Sequence, residues 1–335
     1  MKGYFKLFFV LLFIQILSSA QDVSFSGYGA TGFKMYNRNR LNDYNQETYY
    51  EGKVQLEAKY NSEIDMQLDL RGNSTDNEVE LHEFSIKLDY WKRMKLKIGN
   101  VKKPFGYEYL VNRDELITVD RSYVSNTLGD LGYGSRAVSI MAYNKYDKDD
   151  PSFHYSYYFS IFKDNSYRSG VVARLEYNFD DDWKLSGNYM FQNKGGDERI
   201  NTHGFGLDFS LDKKKINSDI GFFLVQDPEE GIIRRLAGED EIVYSVGAKW
   251  TGAYKFDLDN SAIKDIEPVL TLGYFAPDID QSDNHVLQAI AGINVYLDKD
   301  VRLRLNGDLR LTKNEYSDSY SNQNSLATFE IQARF

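Results

Sequence analysis

Basic side chains spaced two residues apart are the first candidates for chemistry in this sequence. They alternate with apolar residues in two segments, and the set comprises Lys95, Lys97, Arg302, Arg304 and Arg310. A period of two is typical of a β-strand with one wet face and one apolar face. In a narrow channel, cations on the wet face replace part of the hydration of an anion and set ion selectivity. The alternative is that they are ordinary solvated residues, balanced by carboxylates on the polar faces of other segments.

More cations lie within the segment 102–133, which has no sustained hydrophobic period, and directly after it. They are Lys102, Lys103, Arg113, Arg121 and Arg136. The segment contains five carboxylates and four cations, so its composition alone does not indicate an anion-binding site. A connection of about thirty residues without regular structure is long, and such connections are usually functional. We therefore expect this segment to constrict a channel, with these five residues as further candidates for the channel lining.

Other chemistries find little support in the residue pattern. The four histidines lie in four different segments, and no local motif surrounds them that would indicate a catalytic site. The acidic turns 147–150 and 180–182 lack the ligand spacing and central glycine of a calcium loop. The chain has no cysteine, which excludes disulfides and thiolate metal sites. We expect no enzymatic activity, no catalytic residues, no metal and no cofactor.

The elements that would position the basic residues are strands, because the period of two recurs along the whole chain. Sixteen strands are predicted, at about 23–37, 49–60, 64–71, 79–90, 94–101, 137–144, 153–162, 170–179, 183–192, 203–211, 216–226, 242–256, 266–275, 285–297, 301–312 and 326–335. Their length of roughly ten residues is what a strand needs to cross a bilayer at a tilt. An even number of antiparallel strands is typical of single-chain bacterial barrels.

The connections between these strands alternate in length. Tight turns are predicted at 61–63, 91–93, 180–182, 212–215 and 298–300, and longer loops at 38–48, 102–133, 193–202, 227–241, 276–284 and 313–325. Outer-membrane barrels have short turns on the periplasmic side and longer loops outside. This order predicts that both termini lie in the periplasm and that 102–133, the third outer loop, folds into the lumen.

Composition supports a barrel in a membrane. The mean hydropathy is −0.53, yet the chain contains 26 Tyr and 21 Phe. A membrane barrel reconciles these values, because only alternate residues face lipid and aromatic side chains form belts at the interfaces. The fold class is therefore predicted as all-β, a transmembrane antiparallel barrel of about 16 strands forming one domain over 21–335. The last strand of a soluble sandwich would also explain the alternating apolar row that ends at Phe335.

The first twenty residues have the features of a secretory signal peptide. Lys2 and Lys6 supply the positive start, Leu7 to Leu17 the apolar region, and Ser18 to Ala20 a small-residue cleavage site. A transmembrane anchor is the alternative, although about eleven apolar residues are too few to span a bilayer as a helix. Export in a Gram-negative cell to the outer membrane is expected. The net charge of −10 argues against nucleic acid as a partner.

One stretch resembles a known family. The residues 98–110 (IGNVKKPFGYEYL), 120–122 (DRS) and 134–136 (GSR) resemble the signature of the phosphate-selective porin O/P family, with Asn100 where glutamine is usual. The resemblance covers about fifty residues and implies an outer-membrane porin more strongly than it implies phosphate. It also implies contact with outer-membrane lipid and allows a homotrimer.

The function predicted from the sequence is an outer-membrane porin, a water-filled channel for passive diffusion of small hydrophilic solutes. The sequence allows anions such as phosphate as the permeant solutes. Because the first strand begins within a few residues of the predicted cleavage site, there is no room for a plug domain. The alternative is an outer-membrane barrel with a binding or adhesin role, or with a lipid-modifying enzymatic role.

Overall fold

The structure is a computed structural model that describes residues 20–36, 46–74, 77–150, 152–166, 168–195, 199–239, 242–258, 262–281, 284–312 and 325–335. The predicted signal peptide 1–20 lies outside the described residues except for Ala20. Most of the predicted loops 38–48 and 313–325 also lies outside them.

Sixteen antiparallel strands form the barrel. They are β1 Asp22–Tyr36, β2 Gln46–Lys59, β3 Ile64–Asn73, β4 Val79–Trp91, β5 Met94–Lys102, β6 Arg136–Asn144, β7 Tyr155–Lys163, β8 Arg168–Asn178, β9 Trp183–Lys194, β10 Ile200–Asp212, β11 Ile216–Gln226, β12 Tyr244–Tyr254, β13 Asp265–Ala276, β14 Val286–Tyr296, β15 Val301–Thr312 and β16 Leu326–Arg334. The pair Phe256–Asp257 extends β12 and continues its pairing with β13. The predicted fold class and strand number are confirmed, and boundaries differ by a few residues.

The sheet closes on itself. Each strand pairs with its neighbours in the chain, and β1 pairs with both β2 and β16, from Tyr28 opposite Arg334 to Tyr36 opposite Leu326. Closure leaves no unpaired edge, which matters because lipid cannot satisfy free backbone groups.

The two faces of the sheet have opposite character. The outward residues are large and apolar, as with Phe159, Leu207, Phe222 and Leu305, each about half exposed or more. The inward residues are polar or charged and are largely buried, as with Arg304 and Gln192. This distribution is that of a transmembrane barrel, in which the apolar face meets lipid and the polar face meets the lumen. No helix among the described residues is long and apolar enough to cross a membrane.

The two ends of the barrel differ as predicted. The end that carries the termini, here called the turn end, has short connections such as Tyr60 to Ile64 and Leu297 to Val301, each closed by a backbone hydrogen bond of 2.9 Å. The opposite loop end carries most of the longer connections, although 74–78 and 164–167 are short there and 145–154 is long at the turn end. One of the longer loop-end connections contains the helix Pro228–Ala237, which begins at the capping side chain of Asp227 and ends at Gly238 in the left-handed conformation.

The longest described connection, 103–135, folds into the lumen, which confirms the prediction for this loop. It contains helix α1 (Tyr107–Leu110), a 3-10 turn (Arg113–Glu115) and helix α2 (Tyr123–Asp130). We call this segment the inner loop. Glycines at positive φ open α1 and follow α2, namely Gly106 (φ 77°) and Gly132 (φ 91°). The sequence did not predict these short helices, because a helix of at most about two turns is too short to produce a sustained hydrophobic period.

Candidate functional site

An apolar cluster seats the inner loop against the barrel wall. Phe105 lies 5.3 Å from Tyr133 and 6.0 Å from Phe223 of β11, between ring centroids. Val124 and Leu128 of α2 are buried in the same cluster. The wall residues in this cluster are apolar, in contrast to the rest of the inward face. Apolar side chains are favourable here because the inner loop excludes water from them.

A buried ion pair joins the inner loop to β12. The Nζ of Lys249 lies 3.1 Å from Oε2 of Glu108, and it also contacts Asp219 of β11. Ser122, which caps α2, donates its amide and its hydroxyl to the Glu108 carboxylate at 2.9 and 2.7 Å. Burial alone would raise the pKa of Glu108, but Lys249 and these hydrogen bonds outweigh burial and lower the pKa to about 2. The carboxylate is therefore charged and held at physiological pH.

Two predicted lining residues hold the inner loop instead. Arg304 is fully buried and donates to the carbonyls of Leu116 and Thr118 at 3.2 and 3.0 Å. Arg302 donates to the carbonyls of Asp114 and Leu116 at 2.6 and 3.1 Å. The expectation that these arginines line the channel is corrected: the alternation identified the inward face, but it could not reveal that the loop covers that face.

Lys103 is also buried rather than exposed to a channel. Its Nζ donates to the carbonyl of Gly132 at 2.6 Å and lies 3.6 Å from Asp164. It therefore joins the two ends of the inner loop. Arg310, the last arginine of the β15 series, bonds Asp308 at 2.8 Å and lies over the ring of Tyr123, 5.3 Å from its centroid.

The far side of the inner loop is attached to β1 and β2. Arg113 contacts Glu51 of β2 at 2.5 Å and Asp120 at 2.9 Å, and Asp120 in turn contacts Lys34 of β1 at 2.9 Å. The loop is thus fixed to the wall on both sides. The open part of the lumen lies between the loop and the strands β2 to β6, where two cavities occur.

The outer cavity, on the loop-end side of the inner loop, has a volume of about 630 Å³. Its lining has seven basic residues, Lys53, Arg71, Lys102, Arg113, Arg121, Arg136 and Arg168, against four acidic residues, Glu80, Asp114, Asp130 and Asp164. The inner cavity, on the turn-end side, has a volume of about 940 Å³. Its lining has eight basic residues, Lys59, Lys87, Lys92, Arg93, Lys95, Lys97, Lys145 and Lys148, against five acidic residues, Glu57, Asp65, Asp147, Asp149 and Asp150. Basic residues outnumber acidic ones in the lining of both cavities, although the chain as a whole is acidic. Carboxylates behind the lining of the outer cavity, Glu51, Asp69, Glu83 and Asp120, pair with four of its cations.

Several of these cations are paired with carboxylates across the wall. Lys97 and Arg136 share Glu83, at 2.7 and 3.1 Å. A register shift opposite Asp69 makes His82 an extra residue in β4, so that both His82 and Glu83 reach Arg136. Such pairs fix the positions of the side chains while reducing their net field.

Two cations beside the inner loop are bound only through neutral groups. Lys102 donates to the carbonyl of Leu110 and the side-chain oxygen of Asn112, both at 2.8 Å. Arg121 donates to the carbonyl of Val111 at 2.9 Å and lies over the ring of Tyr109. Neither forms an ion pair with any described residue, so their charges are held in place at the outer cavity without direct neutralisation.

The predicted residues thus separate into two groups. Four of them, Lys103, Arg302, Arg304 and Arg310, contact the inner loop or are buried within it. Six of them line a cavity: Lys95, Lys97, Lys102, Arg113, Arg121 and Arg136. Their role in selectivity stays a prediction. The cavity residues that were missed, among them Lys53, Arg71 and Lys87, lie on inward faces of β2 to β4, and the same alternation would have identified them. No group of residues suited to hold a metal ion occurs in the described part of the chain.

No protein-family model matches this chain, and no curated protein matches it in sequence. Solved structures match it in fold. OmpF of Salmonella typhi, in complex with daunomycin, is similar with a TM-score of 0.70 at 13% identity, over 95% of this chain and 99% of that one. The anion-selective porin of Comamonas acidovorans has a TM-score of 0.67 at 12% identity, over 94% and 99%. The trimer form of OmpT of Vibrio cholerae has a TM-score of 0.59 at 9% identity, again over 94% and 99%. The fold of this chain is that of the porins.

Proposed function

We propose that this protein is an outer-membrane porin, a water-filled channel for the passive diffusion of small hydrophilic solutes that favours anions. The porin fold supports the channel. The preference for anions rests on one observation: basic residues outnumber acidic ones in the lining on both sides of the inner loop. This is a transport role, in which the solute leaves chemically unchanged.

The charge of the residues that line the lumen has more influence on ion selectivity than the net charge of the chain. Clefts with low-dielectric walls focus the field of the residues that line them, and they raise the local concentration of counter-ions. Charges on the outside of the protein are screened within about 8 Å at physiological ionic strength. An acidic chain can therefore contain a lumen that attracts anions.

Phosphate is the finer part of the proposal. The resemblance of 98–110, 120–122 and 134–136 to the phosphate-selective porin O/P family suggests it. The positions of Lys102 and Arg121 are compatible with it, because both are held at the outer cavity without a carboxylate partner. The anion-selective porin of Comamonas acidovorans, which shares the fold, is named for a preference of the same sign.

The cellular setting is proposed on the same grounds. The mature domain is 21–335, exported after removal of the signal peptide 1–20, with the turn end in the periplasm and the inner loop as the constriction. A homotrimer is proposed by analogy with the trimer form of OmpT from Vibrio cholerae.

Planar-bilayer recording of the purified protein tests the proposal. We expect stepwise conductance in potassium chloride and, in a salt gradient, a reversal potential of the sign produced by chloride-favouring channels. Adding phosphate as a competing anion tests the finer part, because a bound phosphate ion would reduce the chloride current. Absence of conductance steps would overturn the channel, and a reversal potential of the opposite sign would overturn the anion preference alone.

A further inference from the structure

A third cavity lies beneath the inner loop, against the part of the wall formed by β7 to β9. Its volume is about 350 Å³, within the range of small-ligand sites. We call it the alcove and define it by Tyr107, Lys145, Tyr158, Glu176, Asn178 and Lys184; its charged lining also includes Lys148 and Asp181. It shares Lys145 with the lining of the inner cavity, so a solute in the lumen has access to it.

Two tyrosines give the alcove flat apolar surfaces. Tyr107 belongs to α1 of the inner loop, and Tyr158 belongs to β7. The ring of Tyr158 stacks on that of Tyr143, with centroids 6.0 Å apart and an interplanar angle of 3°. This cross-strand pair fixes the orientation of the Tyr158 ring before any ligand arrives. Neither the Tyr107 nor the Tyr158 hydroxyl has a hydrogen-bond partner among the described residues.

Three lysines, Lys145, Lys148 and Lys184, against two carboxylates, Glu176 and Asp181, give the alcove a small excess of positive charge. Lys145 and Lys184 form no ion pair within the part of the chain that the structure describes, whereas Lys97 nearby is paired with Glu83 at 2.7 Å. Burial, together with repulsion from Lys97 and Lys184, lowers the pKa of Lys145 below its usual value. Like charges that repel one another in this way favour an anion between them.

Hydrogen-bond acceptors lie beside the lysines. The side-chain oxygen of Asn178 is buried and has no partner in the described structure, although its nitrogen donates to the His154 carbonyl at 2.9 Å. Glu176 accepts at Oε1 from Arg174 at 2.6 Å, which leaves Oε2 for another donor. A bare oxyanion offers mainly acceptors and would leave these oxygens unmatched. A ligand that fits must bring hydroxyl donors together with its negative charge.

We propose that the alcove binds an anionic monosaccharide, a sugar ring that carries a phosphate or a carboxylate. The anionic group lies between Lys145 and Lys184, the hydroxyls donate to Asn178 and Glu176, and the apolar face of the ring packs on Tyr158. This inference rests on the proposed channel, because the solute reaches the alcove through the lumen.

Block of the ion current by glucose 6-phosphate, added on the turn-end side of a planar bilayer, measures binding. Glucose and inorganic phosphate are the comparison solutes, and we expect each to bind at least about tenfold more weakly, because each lacks one set of contacts. Glucuronate, which carries a carboxylate in place of the phosphate, tests which anionic group the site accepts. If glucuronate blocks the current at a similar concentration, the site accepts both groups. If glucuronate does not block the current, the site accepts only the phosphate.

Variants assign the block to the alcove. We expect Lys145→Gln combined with Lys184→Gln to weaken the block by glucose 6-phosphate about tenfold or more, and Tyr158→Leu to weaken it while leaving inorganic phosphate unaffected. Lys299→Gln is the matched control, because Lys299 is 85% exposed in a turn at the same end of the barrel. Equal block of the wild type and the double variant by glucose 6-phosphate would overturn the site, whatever block inorganic phosphate produces at the outer cavity. Because the potassium chloride conductance is recorded in the same membrane, a channel that conducts without sugar block contradicts this inference alone.

Discussion

Glu108 and Lys249 form an ion pair of 3.1 Å between the inner loop and the barrel wall, and both side chains are buried. Lys249 also contacts Asp219, so one ammonium group serves two carboxylates. Removing one partner of a buried pair leaves the other charge uncompensated, which costs far more than losing a surface pair. The position of the inner loop therefore depends on this contact.

Replacing Lys249 with methionine should destabilise the protein and loosen the inner loop. The variant leaves Glu108 and Asp219 buried without their cation, and we expect a loss of about 3–5 kcal/mol of stability together with noisier, larger single-channel conductance. Thermal unfolding in detergent and bilayer recording measure the two effects. Lys213→Met is the control, because Lys213 is exposed in a turn. An unchanged melting temperature in Lys249→Met would show that the pair does not hold the loop.

Arg304 and Arg121 should separate loop positioning from ion selectivity. Arg304→Gln removes the donors to the Leu116 and Thr118 carbonyls and the cation paired with the buried Glu330, so we expect lower stability and altered conductance with an unchanged reversal potential. Arg121→Gln removes a charge that faces the outer cavity. At a separation of about 8 Å in water, one charge is worth about 0.5 kcal/mol, or roughly a twofold fall in the anion-to-cation permeability ratio.

The opposite pattern would contradict this assignment. If Arg304→Gln shifts the reversal potential while Arg121→Gln does not, then the arginines of β15 face the permeating ions and the inner loop does not cover them.

The architecture could be predicted from the sequence, and the covering of the wall could not. A period of two fixes which residues face inward, since the pleat alternates strictly, and this was enough to predict sixteen strands and the inward face of Lys95 and Lys97. Whether an inward residue meets water depends on a loop more than a hundred residues away in sequence, as with Arg304 and Leu116. No local pattern encodes that contact. The pairing of Lys249 with Glu108 is hidden for the same reason.

Glycines opposite the inner loop should tolerate no side chain. A Cβ at Gly204 of β10 would lie 2.3 Å from the ring of Tyr133, whose hydroxyl oxygen lies 2.9 Å from the carbonyl oxygens of both His203 and Gln226. Gly204→Val should therefore cost about 1–3 kcal/mol by overpacking. Gly187→Val is the matched control, because a Cβ there has nothing within 4 Å. Equal melting temperatures for the two variants would contradict the close seating of Tyr133.

The pH dependence of stability should report the charge of Glu108. Its pKa is lowered on folding from 4.5 to about 2, so the charged carboxylate stabilises the protein above about pH 4.5, and this contribution is lost as the pH falls towards 2. Glu108→Gln removes the titrating group while keeping its size. We expect the difference in melting temperature between the wild type and this variant to stay constant from about pH 7 to pH 5 and to shrink below pH 4.5. In a Lys249→Met background the difference should be smaller at every pH, because the cation that lowers the pKa is absent. A difference that grows as the pH falls would mean that burial, rather than Lys249, dominates the environment of Glu108.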